Sequence, residues 1–155
     1  MRLAPILLLI IFVTSKATIG QISVLNQEQR QSIQRLINTF RTKNDAKIAD
    51  LIYYLLRREY PLRDVKDKQD CVQRFDEIFD EEFVDHVANS KMSDWSGIGL
   101  RRMMLDDGSL WIDDDGEIIT VNYQSRIEKQ LLGHAIQADK NLLPKSLRDF
   151  EKPFI

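Results

Sequence analysis

Leu100–Asn122 reads LRRMMLDDGSLWIDDDGEIITVN, and its punctuation decides the fold. Three short apolar runs, Leu100 to Leu105, Leu110 to Ile112 and Glu117 to Asn122, are separated by the pairs Asp107-Gly108 and Asp115-Gly116. Glycine after aspartate supplies the positive φ that tight hairpin turns demand, so the stretch predicts an antiparallel β-meander. Helix-period patterns flank it on both sides, which makes the fold class α+β with the meander as its sheet.

Upstream, Asn26 to about Lys43 reads as a first helix, opened by a capping-box pair, Asn26 and Gln29. Ile33, Leu36, Ile37 and Phe40 fall at i, i+3, i+4 and i+7, an apolar stripe on a polar background. Asn44 or Asp45 ends that helix or caps a second, in which Ile48, Leu51, Ile52 and Leu55 repeat the spacing and Leu56 widens the face. Tyr60-Pro61 breaks the pattern. Proline holds Tyr60 extended and removes a ladder donor, so Tyr60–Val65 predicts a short edge strand or the start of one. Asp67 caps a third helix from about Lys68 to Asn89, with Val72, Phe75, Ile78, Phe79, Phe83 and Val87 on its apolar side. The acidic run Asp80–Glu82 is where that helix would break. Lys91–Gly99 reads as a loop.

Downstream, Ser125 and Glu128 form a second capping-box pattern, opening a helix that ends near Asn141 and aligns Ile127, Leu131, Ala135 and Ile136. The tail beyond it carries Leu147, Phe150 and Phe154 among charges and is expected to lie back across the domain.

The chain has 155 residues, enough for one ordinary domain. Its 43% hydrophobic and 30% charged content is that of a globular protein. The start, Met1 to Gly20, reads as a signal peptide: Arg2 is the positive n-region, Leu3–Val13 an unbroken apolar core, and small and polar residues follow. That core is too short for an ordinary spanning helix, which needs about 20 apolar residues. Cleavage is expected after Gly20, with a cut after Ala17 as the alternative, leaving a single domain over 21–155 and no stable membrane span. The expected location is exported, periplasmic or extracellular. Loss of Arg2 and Lys16 with the signal takes the formal charge from −2 to −4. An acidic mature chain lacks the footprint for nucleic acid or anionic membrane. Cys71 is the only cysteine, so no internal disulfide forms, and its helical spacing to Phe75 predicts a buried core thiol.

The Asp-rich turns invite a calcium interpretation that the spacing refuses. With Gly116 as the loop glycine of an EF-hand, Trp111 takes the first position and Asn122 the twelfth; with Gly108, Met103 comes first. Their aspartates are turn formers. Glu82 and His86 stand four apart, a spacing that puts two ligands on one helical face, yet His86 and His134 are the only histidines and no HExxH motif exists. A solvated acidic face is the simpler account. No G-x-S-x-G elbow, P-loop or G-x-G-x-x-G is present. No metal or other cofactor is expected.

The order helix, helix, short strand, helix and meander is similar to the cone-shaped nuclear-transport-factor-2-like fold. Tyr60-Pro61-Leu62-Arg63 followed by a helix with Phe75, Ile78 and Phe79 resembles a segment of small secreted bacterial proteins of that superfamily. Met104–Ile112 and Gly116–Asn122 resemble their hairpin core, of the form MxGNGxxW then GxIxxIN, with Asp106-Asp107 standing where that pattern has Gly-Asn. The resemblance covers about 36–122, with a C-terminal helix and tail over 125–155. It implies N-terminal helices packed on a curved antiparallel meander, in a superfamily holding both pocket enzymes and noncatalytic binding or dimerising proteins.

The expectation drawn from all this is an exported noncatalytic domain that binds a protein or small ligand on the concave face of its sheet. Arg63, Trp95, Met103 and Trp111 are the candidate ligand contacts. The alternative is a small isomerase- or hydrolase-type enzyme using a pocket carboxylate, with Asp64, Tyr53 and Tyr54 as candidates. A third is a dimerising envelope protein, a homodimer.

Overall fold

The computed structural model describes residues 22–99 and 101–142. The predicted signal peptide and the tail past 142 lie outside the described residues, as does Leu100.

The meander forms where its turns place it. Strands β1 (Ile22–Ser23), β2 (Trp95–Ile98), β3 (Arg102–Leu105), β4 (Leu110–Asp113) and β5 (Ile118–Val121) make one sheet in that order. Each neighbouring pair is antiparallel. The register puts Trp95 opposite Leu105, Leu105 opposite Leu110 and Leu110 opposite Val121. Gly97, Met103, Ile112 and Ile118 form a second row on the same face. The large side chains of both rows are buried, so this face meets the helices. Ser96, Met104, Trp111 and Thr120 line the other face, half-buried. Strand β2 was expected to be loop. Its inward positions are Trp95 and Gly97, and a glycine hides the alternation that announces a strand.

Both Asp-Gly turns take the expected positive φ, at Gly108 (φ 101) and Gly116 (φ 86), and Asp106 joins them at φ 51. Gly116 is also closely packed, since a Cβ there would stand 3.3 Å from Ser32 Cβ and Ser32 would have to give by a few tenths of an ångström. Ser32 is on α1 (Gln27–Arg41) and donates to Asp114 O at 2.8 Å, which pins the β4–β5 turn to that helix.

Helix α1 starts as expected, with Asn26 and Gln29 completing a reciprocal capping box. The second helix is far shorter than expected, since α2 covers only Asp45–Ala49. Ile118 N–H donates to Leu51 O at 2.6 Å and Tyr53 N–H donates to Ile118 O at 2.9 Å. Leu56 and Val65 then exchange both backbone bonds. Pairing with the sheet wins over helical spacing along Ile52-Tyr53-Tyr54, a β-branched and aromatic run that suits a pleated surface. The edge strand expected over Tyr60–Val65 reduces to the single Leu56–Val65 bridge, preceded by a turn that Leu62 N–H closes by donating to Glu59 O at 2.7 Å.

The third helix arrives in three pieces: α3 (Lys68–Gln73), α4 (Phe75–Ile78) and α5 (Glu81–Asn89). The break inside the acidic run is present, and a second one falls at Arg74. Three pieces let Phe75, Phe79 and Phe83 stack in series, at 5.2 and 6.2 Å between rings, with Phe40 edge-on to Phe79. Each such ring, fully buried, contributes roughly 1.5–3 kcal/mol. Helix α1 packs along α5, and Arg41 Nε donates to Ala88 O at 2.9 Å to tie their ends.

Helix α6 (Arg126–Leu142) begins at the expected place. Ser125 Oγ accepts from Glu128 N–H at 3.1 Å, but the Glu128 carboxylate turns inward to Arg58. Arg58 Nε donates to Glu128 Oε1 at 2.7 Å, and its remaining nitrogens reach Glu128 Oε2, Val121 O and Tyr123 O. The two side chains are 2% and 0% exposed, so the pair is desolvated and fully bonded. No helix among the described residues is long and apolar enough to cross a membrane.

Candidate functional site

The space between the sheet and the helices is filled by Phe40, Phe79, Met103, Leu105, Leu110 and Ile112. Among the described residues the carboxylate buried most deeply is that of Glu128, and Arg58 occupies it. A ligand therefore has no room on this face of the sheet among the described residues. A concavity with room lies at one edge of the sheet, where α5, the β3–β4 turn and the chain after β5 meet.

This cleft, about 440 Å3, is lined by Glu82, Phe83, His86, Asp106, Ser109 and Tyr123. Helix α5 presents the first three because Glu82 and His86 are one turn apart and Phe83 roots the helix in the core. The turn presents Asp106 and Ser109. Gly108 N–H and Ser109 N–H both donate to Leu105 O, at 3.0 and 3.1 Å, and Asp106 N–H donates to Asp94 O at 2.8 Å. Asn122 Nδ2 and Trp111 Nε1 hold Gly108 O, at 2.8 and 3.1 Å. These bonds make the loop a rigid rim.

Across the cleft, His86 Nε2 lies 2.7 Å from Asp106 Oδ2, joining helix to turn. Ser109 Oγ lies 3.3 Å from both Asp106 Oδ2 and Leu105 O and donates to them rather than to the imidazole. No nucleophile–base pair is assembled, because that pairing needs the hydroxyl on the histidine.

The back wall is an aromatic pair. Tyr123 and Phe83 stack at 4.2 Å with 6° between their planes, and Lys129 Nζ sits over the Tyr123 ring at 5.3 Å. Tyr123 Oη donates to Asp80 at 2.8 and 3.0 Å. Burial and then the Asp80 carboxylate push the Tyr123 hydroxyl well above the usual tyrosine range, so at neutral pH it is a donor. Asp80 caps α5 by accepting from Phe83 N–H and also takes Arg126 N–H at the start of α6, each at 3.0 Å. Burial raises its pKa, but these two N–H groups, the Tyr123 hydroxyl and Lys129 outweigh burial and leave it below the usual carboxylate range.

The residues singled out from sequence are dispersed. Asp64 accepts from Arg57 at 2.9 Å and from Arg58 N–H at 2.8 Å, on the loop before Val65. Tyr53 is 62% exposed. Tyr54 donates to Ala49 O at 2.9 Å, and burial first holds its hydroxyl above the usual range. Arg63 is exposed and pairs with Asp70 at 3.0 Å. Trp95 and Met103 are in the core, Trp95 donating to Ser90 Oγ at 3.1 Å. Trp111 lies half-buried on the outer face, its indole bonded to Gly108 O. None of the seven lines the cleft. Sequence did single out Glu82 and His86, as a metal spacing, and Asp106, as a turn former. Tyr123 carried no signal, since its role depends on folding against Phe83. Among the described residues no group of three or more histidines, cysteines or acids is placed to hold a metal.

Comparison with protein-family models, with curated proteins and with solved structures finds no match.

Proposed function

We propose that this chain is a noncatalytic binding domain whose ligand, a small molecule or one side chain of a partner protein, seats in the cleft between α5 and the β3–β4 turn. The observation that carries this is a concavity of about 440 Å3 with a rigid rim, an aromatic wall and polar groups converging on it. An antiparallel meander with helices on one face supports a nuclear-transport-factor-2-like architecture for 36–122. The apolar run Leu3–Val13 supports export, and the protein then works in the periplasm or outside the cell.

The His86–Asp106 pair favours a second reading, a small pocket enzyme with that histidine as base. Against it stands Ser109, whose hydroxyl is committed to Asp106 and Leu105 O.

Recovery of the native protein from its own cells tests both parts. Mass spectrometry is expected to find a terminus at Gln21, or at Thr18 for the alternative cut, in the envelope or medium, with a co-purifying molecule. Intact Met1 in the cytosol overturns export. A chain without a co-purifying molecule that turns over an ester, amide or ketosteroid panel overturns the noncatalytic reading.

A further inference from the structure

Among the described residues, the carboxylates around the cleft differ in how they are engaged. Asp80 is taken by two backbone N–H groups and the Tyr123 hydroxyl. Asp85 is paired with Lys43 at 2.8 Å. Asp106 faces His86 and Ser109, each through Oδ2. Glu82 lines the cleft with no hydrogen-bond or ion-pair partner among the described residues. It stands one helical turn from His86, whose imidazole touches the Asp106 carboxylate, and both carboxylates line the cleft. The cleft thus offers an unneutralised carboxylate, the second oxygen of another and the lone pairs of Ser109.

The aromatic wall narrows the choice. One face of Tyr123 is covered by Phe83, and the opposite face carries the Lys129 ammonium. Phe83 is further flanked by Phe79 and His86, at 6.2 and 6.4 Å between ring centroids. These neighbours crowd both rings, and ring edges carry the positive end of the quadrupole and attract no cation. A quaternary ammonium, which favours open aromatic faces and has no N–H to donate, keeps only the coulombic attraction of the carboxylates. A cation with N–H donors has acceptors.

We infer that the cleft takes a primary alkylammonium, its N–H bonds donated to Glu82, Asp106 and Ser109 and its stem lying along the edges of Phe83 and Tyr123. This rests on the binding reading of the cleft and adds the ligand class. A free amine and a lysine side chain present the same group.

The test is a backbone amide shift titration of the full chain at low ionic strength with four probes sharing one stem: butylammonium, butyltrimethylammonium, butanol and butyrate. Butylammonium is expected to move the amides of Glu82, His86, Asp106 and Ser109 saturably, at least about fivefold tighter than the other three, since charge-assisted bonds are the strong ones. Glu82→Gln is expected to erase that preference while leaving the spectrum of the free protein otherwise in place. Butanol, butyrate or butyltrimethylammonium matching butylammonium at these amides overturns the ligand class and leaves the cleft standing. Silence from all four overturns both. Acetyl-Gly-Lys-Gly amide distinguishes the sources: tighter binding than butylammonium assigns a partner's lysine, weaker binding a free amine.

Discussion

Arg58 and Glu128, 70 residues apart, form a buried bidentate ion pair that fastens α6 to the segment between α2 and Val65. The arginine is bonded further, to Val121 O and Tyr123 O at the exit of β5. The pair therefore fixes where Tyr123 leaves the sheet, and with it the wall of the cleft. Removing one partner strands a desolvated charge. Glu128→Ala is expected to destabilise by about 3–5 kcal/mol, whereas Arg58→Met with Glu128→Leu strands no charge and loses less, its remaining cost being the bonds taken from Val121 O and Tyr123 O. Chemical denaturation of both variants checks this: a double variant as unstable as the single one contradicts it.

Asp80 should make stability acid-sensitive. Its folded pKa is lowered, so its contribution is complete above the unfolded carboxyl value of about 3.9 and is lost as pH falls through the folded value. Asp80→Asn keeps the helix cap but gives up the charge, which is expected to cost about 1–3 kcal/mol at neutral pH. The gap in Tm between wild type and Asp80→Asn is expected to close below about pH 4. A gap that is constant from pH 7 to pH 3 is the contrary result.

Cys71 is fully buried, and burial pushes its thiol up to about 11. Iodoacetamide at pH 8 is expected to leave it unmodified in the folded protein and to label it fully in guanidinium, because the thiolate is the nucleophile. Stoichiometric labelling of the native chain would show that the α3 face opens.

Two glycines separate backbone strain from collision. Gly99 has φ 64 and open space around a hypothetical Cβ, so Gly99→Ala is expected to cost about 1 kcal/mol. At Gly108, φ 101, the same Cβ would lie 2.9 Å from Trp111 Nε1, and Gly108→Ala is expected to cost about 2–3 kcal/mol. Equal losses in thermal unfolding would deny that Trp111 braces the rim.

Strands β3 to β5, unlike β1 and β2, were legible because their signals are local, short apolar runs with an Asp-Gly pair at each turn. So were the Asn26–Gln29 box and the acidic break before α5. The second helix misled because Ile48, Ile52 and Leu56 satisfy helical spacing, and nothing nearby in sequence announces that Ile118 captures Leu51 and Tyr53. The capping pattern at Ser125 located the start of α6 but gave no hint of where the Glu128 side chain would turn. Half the cleft was in view as chemistry without place. Glu82 and His86 share a helical face by spacing alone, but Asp106, Ser109 and Tyr123 reach them only through the folded turn and the Phe83 stack.

The most direct test of the cleft as the binding site is a screen of small organic fragments by amide shift mapping on the full chain, without regard to their charge. The hits are expected to converge on 82–86, 106–109 and Tyr123, whichever fragments bind. Hits gathered on the outer face of the sheet around Met104 and Trp111, or no saturable hit anywhere, contradict it.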